Sequence, residues 1–320
     1  MTIVLSRADQ GEANGEGQGS NPAAGYRCLF PAAIRAFRRW FDAPSLPFGF
    51  TQIAGFNYGN NGQQSGCKAD CLTHNAADLR QAQLSALALS HVFMSTAIDS
   101  GDWFSQHPSD KQTPSRYLAN QALAKIFNAS RHYVDVEFPT FAGHQSVVQR
   151  GGTVTVTVAL RAGFGTKQGV RLTTAVPFAT TQSSVLGCMN NGTPGGNAQP
   201  VSVPRNMCPA AFFPASVNGS CLQRQRCATA LNCGYPAIYG QNGSVLNATA
   251  SIGIDGSSIV LSAQNVPTDF KVLATSLGRG DWPMTRFFSE AGLPVLPWFA
   301  NLSTLDPWTR PPVATKQGLG

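Results

Sequence analysis

The stretch Ala97 to Leu123, AIDSGDWFSQHPSDKQTPSRYLANQAL, decides how this chain folds. It continues the apolar run Val92-Phe93-Met94, which with Ala97 and Ile98 has the length and composition of a buried strand. The run breaks into a polar loop carrying one histidine, His107, set against Pro108. Proline disfavours the helical region for the residue before it, so the imidazole stands on extended or turn backbone. Thr113-Pro114 reads as an N-cap followed by proline at the first helical position, and Leu118, Ala122 and Ile126 then recur at helical spacing. Strand, loop and helix in succession put His107 on the kind of connection where open α/β sheets bind ligands. Asp99 and Asp102 lie just upstream. Either can accept a hydrogen bond from one ring nitrogen and leave the other as a general base, and either can simply cap a turn.

The same alternation extends upstream. Thr2 to Leu5 is a short apolar run suited to a strand, and Pro31 to Phe41 places Ile34, Phe37 and Phe41 on one helical face. Phe48 to Ala54 reads as a second strand, and Asn75 to Leu89 as a helix capped by Asn75 with Leu79, Ala82, Ala86 and Leu89 along one side. This order predicts parallel α/β units through residue 130, with a small sheet. Around Val134 the period changes. Thr153 to Val158 alternates strictly, and Gly169 to Val176, Val245 to Ile254 and Ser258 to Ala263 are further candidate strands. The domain expectation is therefore an α/β unit over 1–130, a β-rich, sandwich-like unit over 131–275 with a loop-rich, cysteine-rich insertion at 179–240, and a segment over 276–320. Trp282, Phe287, Phe288, Trp298 and Phe299 of that last segment are placed to dock back on the α/β part.

Composition bounds the function. A chain of 320 residues with 42% hydrophobic content buries one large core or two moderate ones. The net charge of +7 is spread over scattered basic residues, and Arg35, Arg38 and Arg39 read as a solvated helix face, so nucleic acid is not the expected partner. No apolar run reaches the roughly 18 residues that span a bilayer, so no membrane partner is expected. Eight cysteines, five of them between Cys188 and Cys233, point to disulfides in an oxidising compartment; Cys67-x-x-x-Cys71-x-x-His74 is the rival, a single zinc half-site. Six N-x-S/T sequons, starting at Asn128, Asn191, Asn218, Asn242, Asn247 and Asn301, also suit a secretory route, although Met1 to Asp9 offers no signal peptide.

Four blocks, taken in order, carry a family resemblance. They are Gln10-Gly11-Glu12-Ala13-Asn14; Leu46-Pro47-Phe48-Gly49-Phe50 with Gln52; Gly101-Asp102, His107-Pro108, Asp110-Lys111-Gln112-Thr113 and Arg116-x-Leu118; and Gly280-Asp281-Trp282-Pro283 followed by Leu293-Pro294 and Pro297-Trp298-Phe299. Together they resemble the sialate O-acetylesterases, carbohydrate esterases of the SGNH-hydrolase type. The resemblance implies part of a three-layer SGNH or flavodoxin-like α/β fold and hydrolysis of O-acetyl esters on sialic acids or related carbohydrates, acetylated polysaccharide among them. It implies no metal or organic cofactor. By the same resemblance His107 is base and then acid, Asp102 orients it with Asp99 in reserve, Gln10 donates to the oxyanion, and Gly11, Glu12 and Asn14 stand on the substrate side.

One part of that chemistry is missing. The family implies a serine in a G-Q-S-N type block well before the Q-G-E segment. Ser20, Ser65 and Ser146 lack the preceding strand or the order that this role requires, and none is nominated. The expectation is a C-terminal portion of a longer esterase, inactive in isolation, or a non-catalytic glycan-binding or interaction protein derived from one. The sequence leaves oligomeric state and disulfide pairing open.

Overall fold

In a computed structural model of the chain, the described residues are 6–8, 11–15, 22–56, 75–101, 107, 110–127, 136–161, 172–173, 236–280 and 287–302. The α/β half runs β1 (Ser6–Ala8), α1 (Glu12–Gly15), α2 (Pro22–Trp40), β2 (Phe48–Gln52), α3 (Asn75–Gln83), a 3-10 turn (Leu84–Ala88), β3 (Val92–Thr96) and α4 (Gln112–Lys125). The three strands form a parallel sheet in the order β1-β2-β3, with Ser6 opposite Phe48 and Phe48 opposite Val92. Every residue of β2 and β3 is buried, as expected of parallel strands covered on both faces.

The pleat decides what covers each face. Phe48 and Phe50 meet Phe30 of α2, with ring centroids 6.2 and 5.1 Å away, and Ile34 completes that side. Gly49 faces the opposite way, where a Cβ would lie 2.8 Å from the Phe93 ring and 3.1 Å from Leu118 of α4. Helix, sheet and helix make three layers. Burying each such phenylalanine contributes about 2 to 3 kcal/mol.

The described first strand is Ser6–Ala8, and the strand expected at Thr2 to Leu5 lies outside the described residues. Three local readings change. Helix α2 starts at Pro22 and keeps Pro31 inside it, because Tyr26 and Phe30 extend the buried stripe of Ile34 and Phe37 a full two turns upstream. Helix α4 begins at Gln112, and its first turn is capped by Asp110, whose carboxylate accepts from the Thr113 N–H at 3.0 Å and hydroxyl at 2.8 Å. Its buried face is Thr113, Pro114, Tyr117, Gln121 and Ala122, more polar than the Leu118/Ala122/Ile126 stripe.

The β-rich half contains β4 (Thr140–Arg150), β5 (Thr153–Arg161), β6 (Leu172–Thr173), β7 (Ala237–Gly240), β8 (Val245–Asn247), β9 (Thr249–Ile252), β10 (Ser258–Gln264), β11 (Val272–Leu277), β12 (Phe288–Ser289) and β13 (Trp298–Asn301). Two antiparallel four-stranded sheets, β4-β5-β10-β9 and β13-β11-β7-β8, share one core in which Val154, Val156, Val158, Ile259 and Leu261 meet Ile238, Leu277, Trp298 and Ala300. That is a sandwich. Of the region 179–240, the end is strand: β7 pairs with both β11 and β8. Residues 174–235, with their five cysteines, and Cys67, Cys71 and His74 lie outside the described residues; Cys28 is an exposed free thiol.

The last segment packs in two directions. Phe287 and Trp298 belong to the sandwich core, whereas Leu293 and Leu296 enter the α/β core beside Phe48 and Tyr117. Trp282 lies outside the described residues. Leu296 N–H donates to the Pro139 carbonyl at 2.9 Å, and Gln81 reaches the Phe299 carbonyl at 3.4 Å. Arg279 pairs with Asp78 at 3.3 Å and lies over the Phe299 ring at 4.1 Å.

Candidate active site at the carboxyl edge of the parallel sheet

The three parallel strands end in segments that converge. After β1, Gly11 is buried at φ +134, a conformation that favours glycine, and a Cβ there would sit 3.3 Å from Ile53 and 3.4 Å from Leu79. After β2 and β3, Gly55 and Gly101 touch backbone to backbone: a Cβ on Gly101 would fall 2.3 Å from the Gly55 carbonyl oxygen.

Hydrogen bonds to backbone hold these strand ends. Gln52, almost wholly buried, donates to the Arg80 carbonyl at 3.1 Å and accepts from the Thr96 hydroxyl at 2.9 Å. The Gln83 side chain accepts from Ile53 N–H at 3.1 Å. Arg80, only 1% exposed, donates from Nε to Ile53, from one Nη to Ala54 and from the other to Gly280, at 3.0, 2.6 and 2.8 Å. A single buried guanidinium thus ties two residues past β2 to Gly280, the first residue of the Gly280-Asp281-Trp282-Pro283 block. Thr51 and Ser95 share a further hydroxyl pair at 3.0 Å.

Two titratable groups sit beside this network. Burial pushes the Tyr26 phenol up, the Gln83 amide works against that, and the nearby Glu12 carboxylate adds to it. Asp99 is buried two residues before Gly101. It accepts from the Tyr117 hydroxyl through Oδ2 at 2.8 Å, while Oδ1 has no partner. Burial raises its pKa to about 6, partly opposed by the Tyr117 bond.

His107 is exposed. Gly11 is buried and Glu12 half-buried next to α3, whereas Asn14 is exposed. Gln10 and Asp102 lie outside the described residues, as do Ser20 and Ser65, and Ser146 is an exposed residue of β4 in the sandwich. The sequence motifs included Gln52 without a role and omitted Arg80, Gln83 and Tyr117. Only Tyr117 left a signal, its four-residue spacing from Thr113 and Gln121 on a helix. Among the described residues no cluster of three or more His, Cys, Asp or Glu is arranged to hold a metal ion. An exposed imidazole such as that of His107 can take a proton from a hydroxyl and return it to a leaving oxygen, whereas the buried network can only fix where the strand ends lie.

No protein-family model and no curated protein matches the chain. Among solved structures it is similar to a carbohydrate acetylesterase from Xanthomonas citri, at 20% sequence identity and a TM-score of 0.56. The match covers 92% of this chain and 49% of that one, so the chain spans about half the neighbour's length. This likeness is one of fold alone: an α/β unit followed by a β-rich region.

Proposed function

We infer that the chain forms the histidine-bearing part of a carbohydrate O-acetylesterase, with O-acetylated sialic acid the substrate favoured by its sequence motifs. The observation that carries this reading is an exposed His107 between a fully buried parallel strand and α4, in a fold similar to that of a carbohydrate acetylesterase. In the reaction His107 takes the serine hydroxyl proton as that oxygen attacks the acetyl carbonyl, and returns it to the sugar oxygen as the ester bond breaks. Asp102 orients the ring and Gln10 donates to the oxyanion. Water, deprotonated by His107, then releases acetate. The serine is assigned to none of these 320 residues; the reading gives it to a segment outside them.

A fluorophosphonate probe, which labels activated serines, together with 4-nitrophenyl acetate tests this. The chain alone is expected to remain unlabelled and to release no acetate. A protein extended to the neighbour's length is expected to label outside these residues, and His107→Ala should cut its kcat by about a hundredfold or more. Because His107 is exposed, that substitution should change stability by less than about 0.5 kcal/mol. Labelling of a serine within the chain overturns the assignment. An extended protein that binds acetylated glycan without turnover makes this a glycan-binding protein instead.

A further inference from the structure

Tyr117 has one hydroxyl hydrogen and faces two acceptors, Asp99 Oδ2 at 2.8 Å and the Gly292 carbonyl oxygen at 3.2 Å. One hydrogen cannot satisfy both. A proton on Asp99 changes the count: the acid donates to the Tyr117 oxygen, and Tyr117 donates to Gly292. We propose that Asp99, Tyr117 and Gly292 form a proton-counting switch in which acidification adds a hydrogen bond between α4 and the Ser289–Leu293 turn, tightening the C-terminal segment against the α/β unit.

The surroundings suit a switch. Burial disfavours the Asp99 carboxylate and Asp110 adds repulsion, while Tyr117 and Arg116 favour the charged form, so the proton is taken up at about pH 6. On the turn, the one carboxylate, Glu290, is exposed. The turn is closed by its own bonds, Ser289 N–H to Leu293 carbonyl at 2.8 Å and Gly292 N–H to Ser289 carbonyl at 2.9 Å, so it can move as a unit. Leu293 and Leu296 keep it seated in both states. The Asp99–Tyr117 bond also persists in both, with its direction reversed. Only the seating of the turn therefore responds to the proton. This holds whether or not the chain belongs to an esterase.

Amide hydrogen exchange over residues 288–296, corrected for the intrinsic pH dependence of exchange, reads the switch directly. Wild-type protection should rise roughly three- to tenfold between about pH 7.5 and about pH 5, the range for one added hydrogen bond. Tyr117→Phe should abolish that rise. Asp99→Asn puts an amide N–H where the protonated acid would donate, and should hold protection at its acid level at both pH values. Retention of the rise in Tyr117→Phe overturns the proposal. So does wild-type behaviour in Asp99→Asn. Should Tyr117→Phe fail to fold, Asp99→Asn decides alone.

Discussion

The sandwich and the α/β unit are built on opposite terms. The sandwich core is a list of side chains that want nothing but each other: Val154, Val156 and Val158 alternate inward along β5 and meet Ile238 and Leu277 across the gap. The parallel sheet, smaller and just as buried, encloses Arg80, Asp99, Gln52, Gln83 and Gln121 at its carboxyl edge and beside it. Buried polar groups that are well paired specify one arrangement, and any that lose a partner become costly. The comparison teaches that the second region is fixed in position by directional bonds to backbone, at the edge where ligands bind in such sheets, while the first is fixed chiefly by volume.

The sharpest way to break this contrast is to remove the cation. Arg80→Met takes donors from three buried carbonyls and is expected to cost about 4 kcal/mol, read as a lower midpoint in urea. A cost under about 1 kcal/mol would mean the strand ends are held by packing after all. Asp99→Asn should act in the other direction. The folded-state pKa of Asp99 lies above its ordinary value, so the stability it contributes is complete below about pH 3.8 and is lost as pH rises through about 6. At pH 7.5 the neutral variant should be more stable by up to about 3 kcal/mol, an advantage that disappears by about pH 4. A constant difference across that range would show that Asp99 titrates alike in both states.

Where the sequence could be read follows the same division. Strict alternation exposed β5, and helical spacing exposed α2 and α3, because in those elements burial alone sets the pattern. The fold class followed from their order. Strand β4 escaped because bulges between Phe141 and Gly143 and between His144 and Ser146 break its period, although the Gly151-Gly152 turn that joins it to β5, at φ +58 and +72, is a hairpin signal. Strand β11 is buried over its last four residues without alternation, and β7 has only four residues. At the candidate site the strand before His107 and the helix after it were legible, in the apolar run from Val92 and the helical spacing beyond Thr113. The partners of Asp99 were not, since a bond from Tyr117, eighteen residues on, and a carbonyl at Gly292 leave no local pattern.

In the sandwich, Val156→Ala removes two methyl groups from a fully buried site and should cost about 2 kcal/mol at every pH. Its pH-independence is the point of the experiment. If the loss varied with pH as that of the Asp99 variant does, the two regions would be titrating together and the contrast would fail.

The smallest effect is expected at the sandwich's own polar exception. His144 Nε2 lies 2.7 Å from the Thr275 hydroxyl, which also accepts from the Trp298 indole at 3.3 Å, and Nδ1 has no partner. Burial lowers the basicity of this ring, so the fold resists its protonation. The sign is opposite to that of Asp99: stability is complete above the unfolded value of about 6.5 and declines as pH falls below it. Between about pH 4 and pH 7 the two halves of the molecule therefore pull the pH profile in opposite directions. His144→Gln, which keeps an amide for Thr275, should remove the sandwich's contribution, so the wild type's margin over the variant shrinks as pH falls from about 7.5 to about 5.5 in urea titrations. A margin that stays level would mean that the ring meets water in the fold as freely as in the unfolded chain, leaving Asp99 to carry the acid response of the described interior.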